Sequence, residues 1–267
     1  MIYLKSLKIR EGGNPDAYPF NVPVIKSMTS MEFESPVTLF VGENGSGKST
    51  VIEAMAAAIG LPTIGYDNAD TDKTLGHVRK LSQCLSMYWT INPHRGFFLR
   101  SEDFFNFTRR LSELKSEMLL RLAEIDEEYR DRSAYARSLA RMPYLRSLAE
   151  TRERYGEDLD ANSHGESFLK VFQSRFVPGG IYLMDEPEVP LSPIRQLSLI
   201  SLVSDMVKQK CQFVIATHSP ILMAIPGAVI YNFDELPPKR VDYNELEHVK
   251  LTRDFLNNPE RFLRHLI

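Results

Sequence analysis

The chain of 267 residues is poor in cysteine: Cys84 and Cys211 stand far apart and form no C-x-x-C pair. That argues against a disulfide framework and a cysteine-built zinc site, and it suits a reducing compartment such as the cytoplasm. Charge of either sign is not in excess. A net charge of −3 gives no global attraction to nucleic acid or to an anionic membrane, so any such contact must be local. No long apolar run is uninterrupted. The most apolar window, FVIATHSPILMAIPGAVIY, contains His218 and two prolines and reads as two core strands around a loop, so no membrane insertion is expected. The opening MIYLKSLKIREGG is too charged, and its apolar run too short, for a secretory signal. A repeat of roughly 20 to 50 residues is missing as well, which sets solenoids and propellers aside. No linker divides the sequence, so a single domain over 1–267 is expected.

What is present is an alternation of strand and helix signals. Short alternating segments in residues 1–40 (YLKSLKIR, NVPVIKSM, MEFE, VTLFV) suggest an antiparallel sheet leading into a first central strand. GFFLR is a further short strand. From 103 to about 158 the pattern is helical, with Leu111, Leu114, Met118, Leu122, Ile125 and Tyr129 at three- and four-residue steps and Pro143 interrupting the second half. Strand patterns return at GGIYLMDEP, CQFVIATHS and AVIYNF, and the chain closes on a polar helical tail. The expected fold class is α/β, with a mainly parallel sheet covered on both faces and any ligand at the carboxyl ends of its strands.

Three constellations carry chemistry. In LFVGENGSGKSTVIEAMA, Gly42, Gly45, Gly47, Lys48 and Ser49 fill G-x-x-x-x-G-K-[ST] between a buried strand and a helix. Glycines let successive N–H groups of residues Glu43, Asn44, Gly45, Ser46, Gly47, Lys48, Ser49 and Thr50 turn inward at the positive end of the helix, forming a cradle for phosphate oxygens. Lys48 would reach the β and γ phosphates and Ser49 would offer its hydroxyl to magnesium. In IYLMDEPE, four apolar residues deliver Asp185 and Glu186 to a strand end. One carboxylate there can hold magnesium while its neighbour orients or deprotonates a water. Two adjacent acids at that place are costly without such a duty. The third is FVIATHSP, where His218 ends a strand and can donate a hydrogen bond to a γ phosphate.

Taken in order, these segments resemble the ATP-binding cassette ATPases, and within them the soluble SMC/RecF-like branch of P-loop NTPases. GENGSGKST is similar to the Walker A loop, IYLMDEP to Walker B with its following glutamate, and ATHS to the switch-histidine loop. ANSHGES is similar to the signature segment through Ser163, Gly165 and Glu166. The resemblance implies a Mg2+-dependent ATPase with Glu186 as general base, His218 as switch, and Asp185 and Ser49 at the metal. It also implies an ATP-dependent head-to-tail homodimer in which each signature covers the γ phosphate on the other copy.

The departures matter too. Asn162 and His164 replace the usual leucine and first glycine of the signature, and the segment after Walker B reads VPLS (Val189–Ser192) without the usual aspartate. The glutamine expected after GFFLR is missing, with Arg100, Ser101 or Glu102 near its place and Glu102 the candidate substitute at magnesium. These changes fit slow hydrolysis and a switch. Sixty residues separate Ser101 from Asn162, enough for a short helical lobe (103–160) set in a nucleotide-binding core (1–100 and 168–267), but not for long coiled-coil arms. Seven arginines between 130 and 154 could track nucleic-acid phosphates, although the acids among them explain the stretch at least as well by pairing. The expected role is a soluble ATPase in a DNA-related process such as repair or defence, with a separate effector protein as a possible partner. The alternatives are the nucleotide-binding subunit of a transporter and a small-molecule phosphotransferase.

Overall fold

A computed structural model describes residues 1–10, 12–63, 75–155 and 164–264. The chain divides into two units, residues 1–101 with 176–267, and residues 102–175.

The first unit is built on a six-stranded sheet of β3 (Val37–Val41), β5 (Gly96–Arg100), β6 (Ile181–Asp185), β7 (Gln212–Ala216), β8 (Val229–Asn232) and β9 (Lys239–Arg240). The order is β5-β6-β7-β3-β8-β9, parallel except for the antiparallel β8–β9 pair. Every residue of β3, β6 and β7 is buried, which is why each reads as an unbroken apolar run rather than an alternation. Helix α2 (Lys48–Ile59) follows β3, with Val51, Ile52, Ala54, Met55 and Ala56 all buried. Phe97, Phe176, Tyr182 and Phe213 form an aromatic cluster with ring centroids 4.7 to 5.6 Å apart. The Tyr182 hydroxyl is satisfied there by both backbone groups of Val177.

A second, antiparallel sheet joins β1 (Leu4–Ile9), β2 (Ser30–Glu32) and β4 (Leu85–Trp89) in the order β2-β1-β4. Two details differ from the sequence expectation. NVPVIKSM contains a short helix, α1 (Pro23–Ser27): Pro23 sits in the first turn, where a missing N–H costs nothing, and Val24 and Ile25 turn into the core. The strand β4, preceded by α3 (Arg79–Cys84), supplies the third member of the sheet from far along the chain. Buried Gln212, at the start of β7, accepts the N–H groups of Tyr3 and Leu4 at 2.8 Å and donates to the Leu4 carbonyl at 3.0 Å, tying β1 to the central sheet. Helices α7 (Pro193–Lys208), α8 (Glu247–Asn257) and α9 (Pro259–Leu263) complete this unit.

The second unit is helical: α4 (Ser101–Glu128, beginning at the last residue of the first unit), α5 (Ala134–Tyr155) and α6 (His164–Arg175). Pro143 does not end α5, contrary to expectation; the helix continues past the one N–H that proline cannot donate. Of the expected apolar stripe, Leu122 and Ile125 are buried and Leu114 is exposed. Arg141 forks onto Asp126 at 2.7 and 2.8 Å, and Arg130 and Arg146 pair with Glu127 and Glu150. Within α6, Phe168 and Phe172 pack edge to face at 4.4 Å.

Candidate active site

Because β6, β7, β3 and β8 are neighbours running the same way, the loops at their carboxyl ends lie side by side. The four loops carry Glu186, His218, the glycine cradle and Asp234 respectively.

The cradle is fixed by backbone sterics before any phosphate enters. Gly47, the residue ahead of α2, has φ of 97°, and a Cβ there would lie 2.4 Å from Val24 Cγ1. Gly42 has φ of 145°, and a Cβ there would meet the Asp234 carboxylate at 2.9 Å. Asp234 Oδ1 accepts the Glu43 N–H at 2.7 Å and so holds the mouth of the loop open from the end of β8. Ser46 N–H closes a turn on the Glu43 carbonyl, and Glu43, Asn44 and Gly45 stay exposed. No side chain caps α2, so the turn after Gly47 presents its N–H groups without a competing partner of that kind. Thr50, buried in that turn, shares a 3.2 Å hydrogen bond with the Tyr18 hydroxyl.

Lys48 folds back over the cradle. Its Nζ donates to the Gly42 and Glu43 carbonyls at 2.8 and 2.9 Å and lies 3.4 Å from Ser46 Oγ. Burial pulls its pKa down, opposed by Asp185, Glu186, Asp234 and Glu43. Three-quarters of those opposing charges come from other loops, so the ammonium is the point on which the site converges.

Asp185 ends β6 and takes a hydrogen bond from the Ser49 side chain. Burial pushes its pKa up to about 7, against that bond; Glu53 and Glu186 push the same way as burial, and Lys48 pulls down. Its Oδ1 is buried and has no hydrogen-bond partner. Among the described residues no group of three or more His, Cys, Asp and Glu side chains could hold a metal. Magnesium needs less: one carboxylate, one hydroxyl and phosphate oxygens, and an unpartnered carboxylate oxygen beside Ser49 fits that requirement. Glu53, on α2, receives His77 Nε2 at 2.9 Å and lies 3.7 Å from Arg100 Nη1. Arg100 stands opposite Asp185 in the β5–β6 register, at the strand end where a glutamine was sought in the sequence.

Glu186 follows with φ of 50°, a left-handed conformation that a glutamate adopts at a cost. Its N–H is held by the Ala216 carbonyl at 2.9 Å. His218 Nε2 lies 3.4 Å from Glu186 Oε1, within electrostatic range but outside hydrogen-bond geometry. Burial, reinforced by Lys48, lowers the His218 pKa and so favours the neutral ring; Glu186 works in the opposite direction.

The structure thus brings together residues 42 to 50, Asp185, Glu186 and His218. Glu102 lies at the exposed start of α4 in the second unit. Ser163 lies outside the described residues, while Gly165 and Glu166 fall in the first turn of α6. Asp234 and Glu188 were missed by sequence reasoning. Asp234 sits in an ordinary turn, and its bond to Glu43 spans 191 positions, a separation that no local pattern marks.

The family model of an AAA domain matches residues 24–81, from α1 through the cradle and α2 to α3, and the resemblance read from the motifs stands. No curated protein matches the sequence. Among solved structures, the chain is similar to the Smc head domain of Pyrococcus furiosus crystallised with the C-terminal domain of ScpA (14% identity, 96% of this chain and 99% of that one, TM-score 0.45). It is similar to the SMC head domain of Thermotoga maritima (16%, 86% and 94%, 0.41). It is also similar to an ATP-binding cassette of an ABC transporter in its ADP conformation (15%, 97% and 96%, 0.46).

Proposed function

We propose that the chain is a magnesium-dependent ATPase of the ATP-binding cassette type, working in the cytoplasm as a switch in a DNA-related process rather than as a transporter subunit. The observation that supports this best is the convergence on Lys48. The phosphate cradle, the Ser49–Asp185 pair and the Glu186–His218 pair come from three neighbouring strand ends and face one buried ammonium.

In this reading the N–H groups of the cradle and Lys48 Nζ neutralise the β and γ phosphates, exchanging the carbonyl partners of Lys48 for phosphate oxygens. Ser49 and Asp185 would hold magnesium, which when bound supplies positive charge to the phosphate oxygens. Glu186, partly exposed and facing Lys48, accepts the proton of the attacking water. His218, neutral, donates from one ring nitrogen to the γ phosphate and returns toward Glu186 once phosphate leaves. Arg100 in place of a glutamine at the β5 exit speaks against a transporter subunit. Contact with DNA draws support from the exposed Arg132 and Arg137, and is weakened by the acids that already hold Arg130, Arg141 and Arg146.

The decisive experiment is steady-state ATP turnover with Mg2+ for the parent and for Glu186→Gln. Loss of on the order of 10²-fold or more in the variant, with nucleotide still bound, is the expected result. Equal turnover in both proteins overturns the assignment of the base.

A further inference from the structure

Glu188 belongs to none of the motif positions, yet it holds one of the site's loops in place. It follows Glu186 by two residues, and its Oε1 accepts three donors: the Thr217 hydroxyl at 2.7 Å, the His218 N–H at 2.6 Å and the Ser219 N–H at 3.2 Å. Its other oxygen, Oε2, is buried and has no hydrogen-bond partner. Three donors converge on this one oxygen, an arrangement also found where backbone N–H groups hold an anion. A second tie runs the same way. The Ser219 hydroxyl donates to Gln196 Oε1 on α7, and Gln196 Nε2 donates to the Leu191 carbonyl. Ser219 Oγ also receives the N–H groups of Ile221 and Leu222, so the whole exit from β7 is fastened to the segment that leaves β6.

We propose that Glu188 is a positioning residue that fastens the His218 loop to the strand exit carrying Glu186, so that base and switch keep one geometry. The inference rests on the ATPase reading above and adds a residue to it. Glu186 N–H donates to the Ala216 carbonyl and Thr217 N–H to the Phe40 carbonyl, so backbone pairing reaches residue 217, while the N–H groups of His218 and Ser219 are held by side chains. A buried carboxylate beside Glu186 costs both desolvation and like-charge repulsion. Asn or Ser at 188 would avoid that cost but could not gather three donors at this reach. Nothing in the Lys48 cradle bonds to Glu188, so the two functions, holding nucleotide and aligning the base with the switch, are separable.

The test uses the full-length protein and the variants Glu188→Ala, Glu188→Gln and Thr217→Val, each checked for a cooperative thermal transition. Nucleotide affinity is measured with a non-hydrolysable ATP analogue, turnover with ATP and Mg2+, and the His218 environment by the ring C–H resonance identified by its loss in His218→Asn. For Glu188→Ala the expected outcome is affinity within about twofold of the parent. Its kcat falls on the order of 10²-fold, and the His218 resonance moves. Glu188→Gln keeps an oxygen that accepts all three donors and restores both kcat and resonance most of the way. Thr217→Val removes one donor and gives a smaller change in the same direction, which decides the matter should Glu188→Ala not fold. Parental kcat with an unmoved resonance in Glu188→Ala overturns the proposal, as does equal loss of affinity and turnover. A parent with no ATP turnover overturns the ATPase reading instead; the resonance, moved by alanine and restored by glutamine or unmoved in both, then decides the role of Glu188 alone.

Discussion

Burial acts on Lys48 and Asp185 in opposite senses, discouraging the ammonium on one and the carboxylate on the other, and the two are kept as a pair because each restores part of the other's charge. Lys48→Ala removes a charge-assisted donor from the cradle, so ATP affinity is expected to fall by about 10 to 10²-fold or more, measured by calorimetric titration. Unchanged affinity would defeat the phosphate-loop assignment. Asp185 gives a pH prediction with a definite sign. Its folded pKa of about 7 lies above the ordinary 3.8, so the folded protein holds this proton more tightly than the unfolded chain does. Stability is therefore lost as pH rises from 4 toward 7, and the full cost, at most about 4 kcal/mol, is present above that window. Asp185→Asn removes the cost and keeps a side chain that can bond Ser49. Urea unfolding without nucleotide or metal should find the variant no more stable than the parent near pH 4 and more stable at pH 8, while its Mg2+-dependent turnover is lost. A parent that outlasts the variant at pH 8 would mean that folding favours the Asp185 carboxylate over its acid, the opposite of the raised pKa.

At the level of elements, the same sterics that shape the cradle make it unforgiving. Gly47→Ala forces a side chain into φ of 97° and against Val24, so α1 and the start of α2 must part. The expected result is loss of nucleotide binding with a thermal transition lowered by several degrees, read by differential scanning calorimetry. Phe213→Ala empties one corner of the four-ring cluster under the sheet and is expected to cost about 3 to 5 kcal/mol in urea unfolding with the site's motifs intact. These elements were legible in the sequence to different depths. Strands β3, β6 and β7 are buried on both faces and announce themselves as apolar runs that end in polar residues, which is also why Lys48, Asp185, Glu186 and His218 could be read together. Strand β4 could not, because only Leu85 of its five residues is fully buried and alternation never develops. α1 is five residues long, too short for helical periodicity to differ from a strand's. Asp234, Glu188 and Gln212 act through hydrogen bonds to residues 29 to 209 positions away, and such pairings exist only once the sheet order is set.

At the scale of the whole molecule, what remains to be explained is how a site with an exposed rim could exclude water from a γ phosphate. Glu43, Asn44 and Gly45 are exposed, and His218 and Glu186 are only partly covered. The segment that follows Glu186 and the start of α7 present Val189, Ile194 and Leu197 to solvent. A second copy docked across a bound triphosphate would cover both the polar rim and these side chains. Glu186→Gln is the variant that exposes this state, since it is expected to bind ATP and stall. Sized by light scattering, it should double in mass with ATP and Mg2+, stay monomeric with ADP or without nucleotide, and revert when Lys48→Ala is added. The parent's specific turnover should then rise with protein concentration, because a composite site forms only in the pair. A stalled variant that remains a monomer at saturating ATP, together with turnover strictly proportional to protein, would mean that one protomer completes its own site and that Val189, Ile194 and Leu197 serve something other than pairing.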